Sequence, residues 1–145
     1  MHRDRNLVPL SQQHHNGLAF CVLAERSLRS DPGEANIRLW AQKAIDRYEV
    51  ELVNHFEIEE RILFPAAPMP YVDGLLAEHR QLESLIDRLR RTPRLELILE
   101  FTALLRRHIR AEEEQYFEKL QEQLDRDCLD TLGAKIEEKV IRVCL

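Results

Sequence analysis

Glycine and proline are scarce, with 4 Gly and 6 Pro in 145 residues. That is too few for a turn-rich β-sandwich or a collagen-like chain. No glycine-rich phosphate loop occurs, so nothing supports a nucleotide-binding α/β fold. Cysteine appears only as Cys21, Cys128 and Cys144. An odd number without motif spacing reads as reduced thiols in a cytoplasmic protein. The longest apolar run, Leu18 to Ala24, is far too short to cross a membrane. The first residues lead into no apolar segment of the kind a signal peptide needs. An excess of positive charge is also lacking. The formal net charge is −5, which argues against a nucleic-acid partner.

What is present is helical pattern. Hydrophobic residues make up 44% and charged residues 32%, the composition of one soluble globular domain spanning 1–145. Breakers divide the chain. Asp31-Pro32-Gly33 ends a first helix that starts after Pro9. The segment Pro65 to Pro70 ends a long second helix that starts near Glu34. Thr92-Pro93 separates a third helix from a fourth, running from about Arg94 to Leu124. A short C-terminal helix is expected over about 127–143, with a possible break at Gly133. The fold class is therefore all-α: an up-down-up-down four-helix bundle over about 10–124, followed by a short helix.

Each long helix carries an apolar stripe at three- and four-residue steps, and each stripe contains a histidine. The first reads Leu10, His14, Leu18, Cys21, Leu28. The second reads Ala41, Ile45, Tyr48, Leu52, His55, Glu59, Ile62. The third reads Val72, Leu75, His79, Leu82, Ile86, Leu89. The fourth reads Ile98, Phe101, Leu105, His108, Glu112, Tyr116. A buried, unpaired carboxylate is costly, and a buried imidazole needs partners for both nitrogens. A transition metal would satisfy all six polar residues together. A four-residue step places His55 and Glu59, and again His108 and Glu112, on one helix face. In antiparallel helices the six fall at roughly one level, the loosest match lying between the first two helices. Two carboxylates and four imidazoles exceed the needs of one tetrahedral zinc and suit two ions, with Glu59 and Glu112 as bridges. The metal ligands expected are His14, His55, Glu59, His79, His108 and Glu112. His15 is the alternative to His14, and Glu83 a possible addition. The bland alternative is a bundle whose core histidines are satisfied by protein groups.

In these segments the chain resembles the hemerythrin-like, or HHE cation-binding, domain family. The resemblance runs from Leu10 to about Leu124. It is carried by Leu10-Ser11-Gln12-Gln13-His14-His15-Asn16-Gly17-Leu18, by His55-Phe56-x-x-Glu59-Glu60-x-x-Leu63-Phe64-Pro65, by Glu78-His79-Arg80, and by His108-x-x-x-Glu112-Glu113. It implies a bundle holding two non-haem iron ions with oxo or hydroxo and carboxylate bridges. His14, His55, His79 and His108 would be terminal ligands, and Glu59 and Glu112 would bridge. Oxygen-carrying hemerythrins have a fifth histidine where this chain has Glu83. They also use His-x-x-x-x-Asp on the fourth helix, where this chain offers His108-x-x-x-Glu112. The four-His, two-Glu set is closer to the iron-centre repair proteins of the superfamily, although their cysteine-bearing N-terminal domain is missing here.

The function expected is a di-iron protein that binds or senses O2 or NO, or handles iron or peroxide. A di-iron redox enzyme or repair-type factor is a second reading, and a metal-responsive interaction module a third. Iron is not separable from zinc or manganese by ligand type. Elsewhere, Glu60, Glu113 and Glu114 read as surface charges and His2 as a disordered terminal residue. Tyr48, Tyr116, Trp40 and Phe101 read as core, with a redox or hydrogen-bonding role at the metal as the sharper option for the two tyrosines. Cys21 is expected buried and inert, and Cys144 exposed.

Overall fold

The computed structural model describes residues 2–143. Helix α1 spans Val8–Ser30. Pro9 lies in its first turn, where a missing N–H costs nothing. Helix α2 runs continuously over 34–66, α3 spans Val72–Arg91, α4 runs over 95–123, and α5 spans Arg126–Lys139. Among the described residues there is no strand. Within the bundle, α1 to α4, successive helices are antiparallel neighbours, α4 closes the ring against α1, α2 and α4 face each other across the bundle, and α5 packs against α2.

Helices α2 and α4 are not uniformly α-helical. Tyr48–Leu52, Glu59–Leu63 and Glu112–Tyr116 form wider π turns. Phe64 N–H bonds to the Glu59 carbonyl, and Phe117 N–H to that of Glu112. A π turn advances the inward face by about one residue. Leu63 is therefore fully buried after Glu59, and the expected Ile62 is only half-buried. In α4 both Tyr116 and Phe117 point inward.

Helix α5 is capped by Asp125, whose side chain accepts from the Cys128 N–H at 2.8 Å. It passes Gly133 without a break and ends at Lys139, four residues earlier than the pattern suggested. Gly133 is where the N-terminal arm crosses closely. A Cβ there would lie 1.9 Å from Asn6 Oδ1. Residues 140–143 continue as an extended strap. The apolar interior falls into two clusters. One fills the half of the bundle toward the Asp31-Pro32-Gly33 turn, and includes Phe20, Ile45, Leu82, Ile86, Ile98, Phe101 and Leu105. The other includes Leu10, Leu63, Leu75, Tyr116, Phe117 and the α5 residues Leu129, Leu132 and Ile136. The six histidines and glutamates lie between the two.

Candidate metal centre

The structure brings all six expected residues together. His14, His55, Glu59 and Glu112 offer ligand atoms within 4.8 Å of one another, as do Glu59, His79, His108 and Glu112. Glu59 and Glu112 belong to both groups. All six side chains are at most 4% exposed. His14 Nε2 lies 2.8 Å from Glu112 Oε1, and His79 Nε2 lies 3.1 Å from both Glu59 Oε1 and His108 Nε2. Each histidine thus aims Nε2 at the shared centre.

The outer nitrogens explain that orientation. Gln13 Oε1 on α1 holds His55 Nδ1 on α2 at 2.9 Å. Glu60 on α2 holds His79 Nδ1 on α3 at 2.7 Å. Glu78 on α3 holds His108 Nδ1 on α4 at 2.9 Å. Glu113 on α4 holds His14 Nδ1 on α1 at 2.9 Å. Each helix orients the histidine of the next, around a closed ring. An acceptor at Nδ1 keeps the proton there and leaves the Nε2 lone pair free for a metal.

Glu60 and Glu113 are therefore not simple surface charges. Each is partly buried, with its carboxylate turned inward onto an imidazole. Arginines back the carboxylates from outside: Arg3 behind Glu113, Arg80 behind Glu60, and Arg107 behind Glu78. Glu114 is exposed as expected. The signal for the ring was present in adjacent pairs: Gln13-His14, Glu59-Glu60, Glu78-His79 and Glu112-Glu113. Neighbours on a helix are about 100° apart, so one can face the centre while the other reaches sideways to the next helix.

The other candidates fall elsewhere. His15 is exposed. Glu83 is outside both ligand groups, where its carboxylate accepts from the Tyr48 hydroxyl at 3.4 Å. The Tyr116 hydroxyl donates to the Ala67 carbonyl at 3.1 Å. Both tyrosine hydroxyls are thus turned to groups other than the six residues. Phe101 is fully buried, whereas Trp40 is at the rim with its indole N–H on Ser27 Oγ. His2 is exposed, and its carbonyl accepts from Gln121. Cys21 is buried, and burial pushes its thiol up to about 12, so it is inert at neutral pH. Cys144 lies outside the described residues. Sequence reasoning missed Glu51, which is fully buried one turn before His55 and accepts from Asn16 Nδ2 at 2.8 Å.

The donor set fits a cation. His55 Nε2, Glu59 Oε2 and Glu112 Oε2 are buried without a hydrogen-bond partner. Leaving such groups unpaired costs about 1–3 kcal/mol each. Burial, and next the charge of Glu112, push Glu59 well above the usual carboxylate range. Burial opposes a charge on His108, but Glu112 beside it wins and raises it to about 10. Burial holds His79 down to about 3, in the neutral form that ligates. Without a cation the cluster keeps protons to balance its two carboxylates, and a metal ion would do that work instead. Apolar rings wall the centre. Phe56 stacks on His79 with centroids 4.0 Å apart, and Phe117 on His14 at 5.3 Å.

The family model described as hemerythrin HHE cation binding domain matches residues 8–120. No curated protein and no solved structure matches the chain.

Proposed function

The chain belongs to the hemerythrin HHE cation-binding family, and from that premise we propose that it is a non-haem di-iron protein that meets a small diatomic, O2 or NO, or peroxide. The observation that carries this reading is the pair of buried four-residue groups joined through Glu59 and Glu112. His14 and His55 would hold one ion and His79 and His108 the other, with both carboxylates shared. Such sets of inward Glu and His side chains from four helices are the ligands of di-iron bundles. An iron pair supplies redox chemistry and a position for a small exogenous ligand.

The protein's own contribution is orientation and exclusion. The ring of Gln13, Glu60, Glu78 and Glu113 fixes the imidazoles. Phe56, Phe117 and the flanking apolar clusters favour small, weakly polar visitors over large polar ones. No helix of the described residues is long and apolar enough to cross a membrane, and a cytoplasmic setting suits the reduced thiols.

The test is metal analysis of mildly purified protein, with its near-ultraviolet and visible spectrum before and after air, azide and NO. The expected result is about two irons per chain and bands that respond to at least one of these. Protein that refuses anaerobic iron would overturn the metal assignment. A loaded protein indifferent to every small ligand would overturn the diatomic reading alone.

A further inference from the structure

His55 is held unlike the other three histidines. Its outer partner is a neutral amide, and that amide does two jobs. Gln13 is 3% exposed. Its Oε1 faces His55 Nδ1, while its Nε2 donates to Asn54 Oδ1 at 3.0 Å and to the Ile141 carbonyl at 2.9 Å. Asn54 completes the grip. Its Oδ1 accepts from the Ile141 N–H at 3.0 Å, and its Nδ2 donates to the Lys139 carbonyl at 2.8 Å. The segment held is the extended strap that follows α5. The strap covers a cavity of about 220 Å³ lined by Gln13, Asn16 and the buried Glu51.

We propose that Gln13 and Asn54 form a latch through which a cation at His55 seats the C-terminal strap, residues 140–143. The inference rests on His55 being a metal ligand. A cation on Nε2 leaves the ring proton to Nδ1. Nδ1–H requires an acceptor, so Gln13 presents Oε1 to the ring. Its amide nitrogen then faces Asn54 and Ile141, both of which offer oxygens. Without a cation His55 Nε2 is buried with no hydrogen-bond partner, and Glu59 Oε1 and Glu112 Oε1 lie at 3.3 and 3.5 Å. Nothing then fixes the ring from its inner side, and the Gln13 amide is free to turn with it. The reversed amide would set its oxygen against Asn54 Oδ1 and the Ile141 carbonyl, two contacts with no proton between them. The strap would lose its hold. Glu60, Glu78 and Glu113 transmit nothing comparable, because a carboxylate presents acceptors on both sides.

Amide hydrogen exchange at Ile141 tests the latch, on the full chain, with zinc as a redox-silent probe. Zinc should slow exchange at Ile141 by about tenfold or more, beyond any slowing at Leu129 within α5. Gln13→Glu keeps an acceptor for His55 Nδ1–H but cannot donate to Asn54 or Ile141. At zinc concentrations that load the variant, Ile141 should exchange fast both with and without the metal. Asn54→Leu should release the strap and leave zinc uptake intact. Zinc-loaded wild-type protein with unchanged Ile141 exchange overturns the latch and spares the metal reading. So does a Gln13→Glu variant whose strap still responds. Wild-type protein that takes up no zinc or iron overturns both.

Discussion

The two apolar clusters are built on different terms. The one toward the Asp31-Pro32-Gly33 turn is drawn from the four bundle helices alone, and, apart from the π turn at Tyr48–Leu52, regular three- and four-residue steps fill it. The one beyond the histidines needs more parts: Leu7 of the N-terminal arm, the residues displaced by two π turns, and three side chains of α5. Between them lies a layer whose carboxylates and imidazoles are costly to bury by themselves. One half of the molecule is therefore held chiefly by hydrophobic burial. The other is built around groups whose balance depends on what they bind.

Substitutions can break or sharpen that contrast. The largest effect is expected from Phe101→Ala, which empties a fully buried position in the first cluster. It should cost about 3–5 kcal/mol in denaturant unfolding, by the same amount with and without zinc. A cost that changes with zinc would mean that the halves are not separate. Glu59→Gln probes the layer itself. Removing one of two facing carboxylates should stabilise the metal-free protein by about 1–2 kcal/mol. It should also abolish the gain of about 2.7 kcal/mol expected for wild-type protein at a hundredfold excess of cation over its Kd. Thermal melts of both proteins, with and without zinc, decide this.

The smallest effect belongs to the first half. There the Glu25 carboxylate on α1 accepts from Arg106 on α4, at 3.2 Å from Nε. Arg106 holds Glu25 below its ordinary range, against its burial. A lowered folded pKa gives stability that is present above the unfolded value and lost as pH falls through the folded one. Arg106→Ala should cost about 0.5 kcal/mol at pH 7, since the pair is partly exposed. The loss should fade as the medium is acidified below about pH 4.5. Denaturant midpoints at pH 7 and pH 3 check the sign.

Much of this arrangement was legible from the residues. A histidine on each of four apolar stripes, and the repeated His-x-x-x-Glu unit, identified the six that meet. The choice of His14 over His15 followed from sharing a face with Leu18 and Cys21, and the structure has His14 buried and His15 exposed. Helical periodicity failed where the backbone departs from 3.6 residues per turn. That is why Ile62 was expected where Leu63 is buried. It also failed for Glu60 and Glu113. A stripe tells which residues face the centre of a bundle, but not which of the remainder reach across to a neighbouring helix. Only the spatial order of the helices shows that each of these side chains supports an imidazole it does not share a helix with.

The closed ring has one further consequence, in terms of ionic strength. Behind His79 and His108 the supporting carboxylates are paired with Arg80 and Arg107, which are 56% and 68% exposed. Behind His14 the pairing arginine, Arg3, is 17% exposed and sits over the Phe117 ring, and behind His55 there is no charge pair at all. Dissolved salt weakens exposed pairs and hardly reaches sheltered ones. The two halves of the centre are thus unequal partners of the solvent. The His79–His108 side is the one that added salt loosens, and the His14–His55 side is the one that stays put.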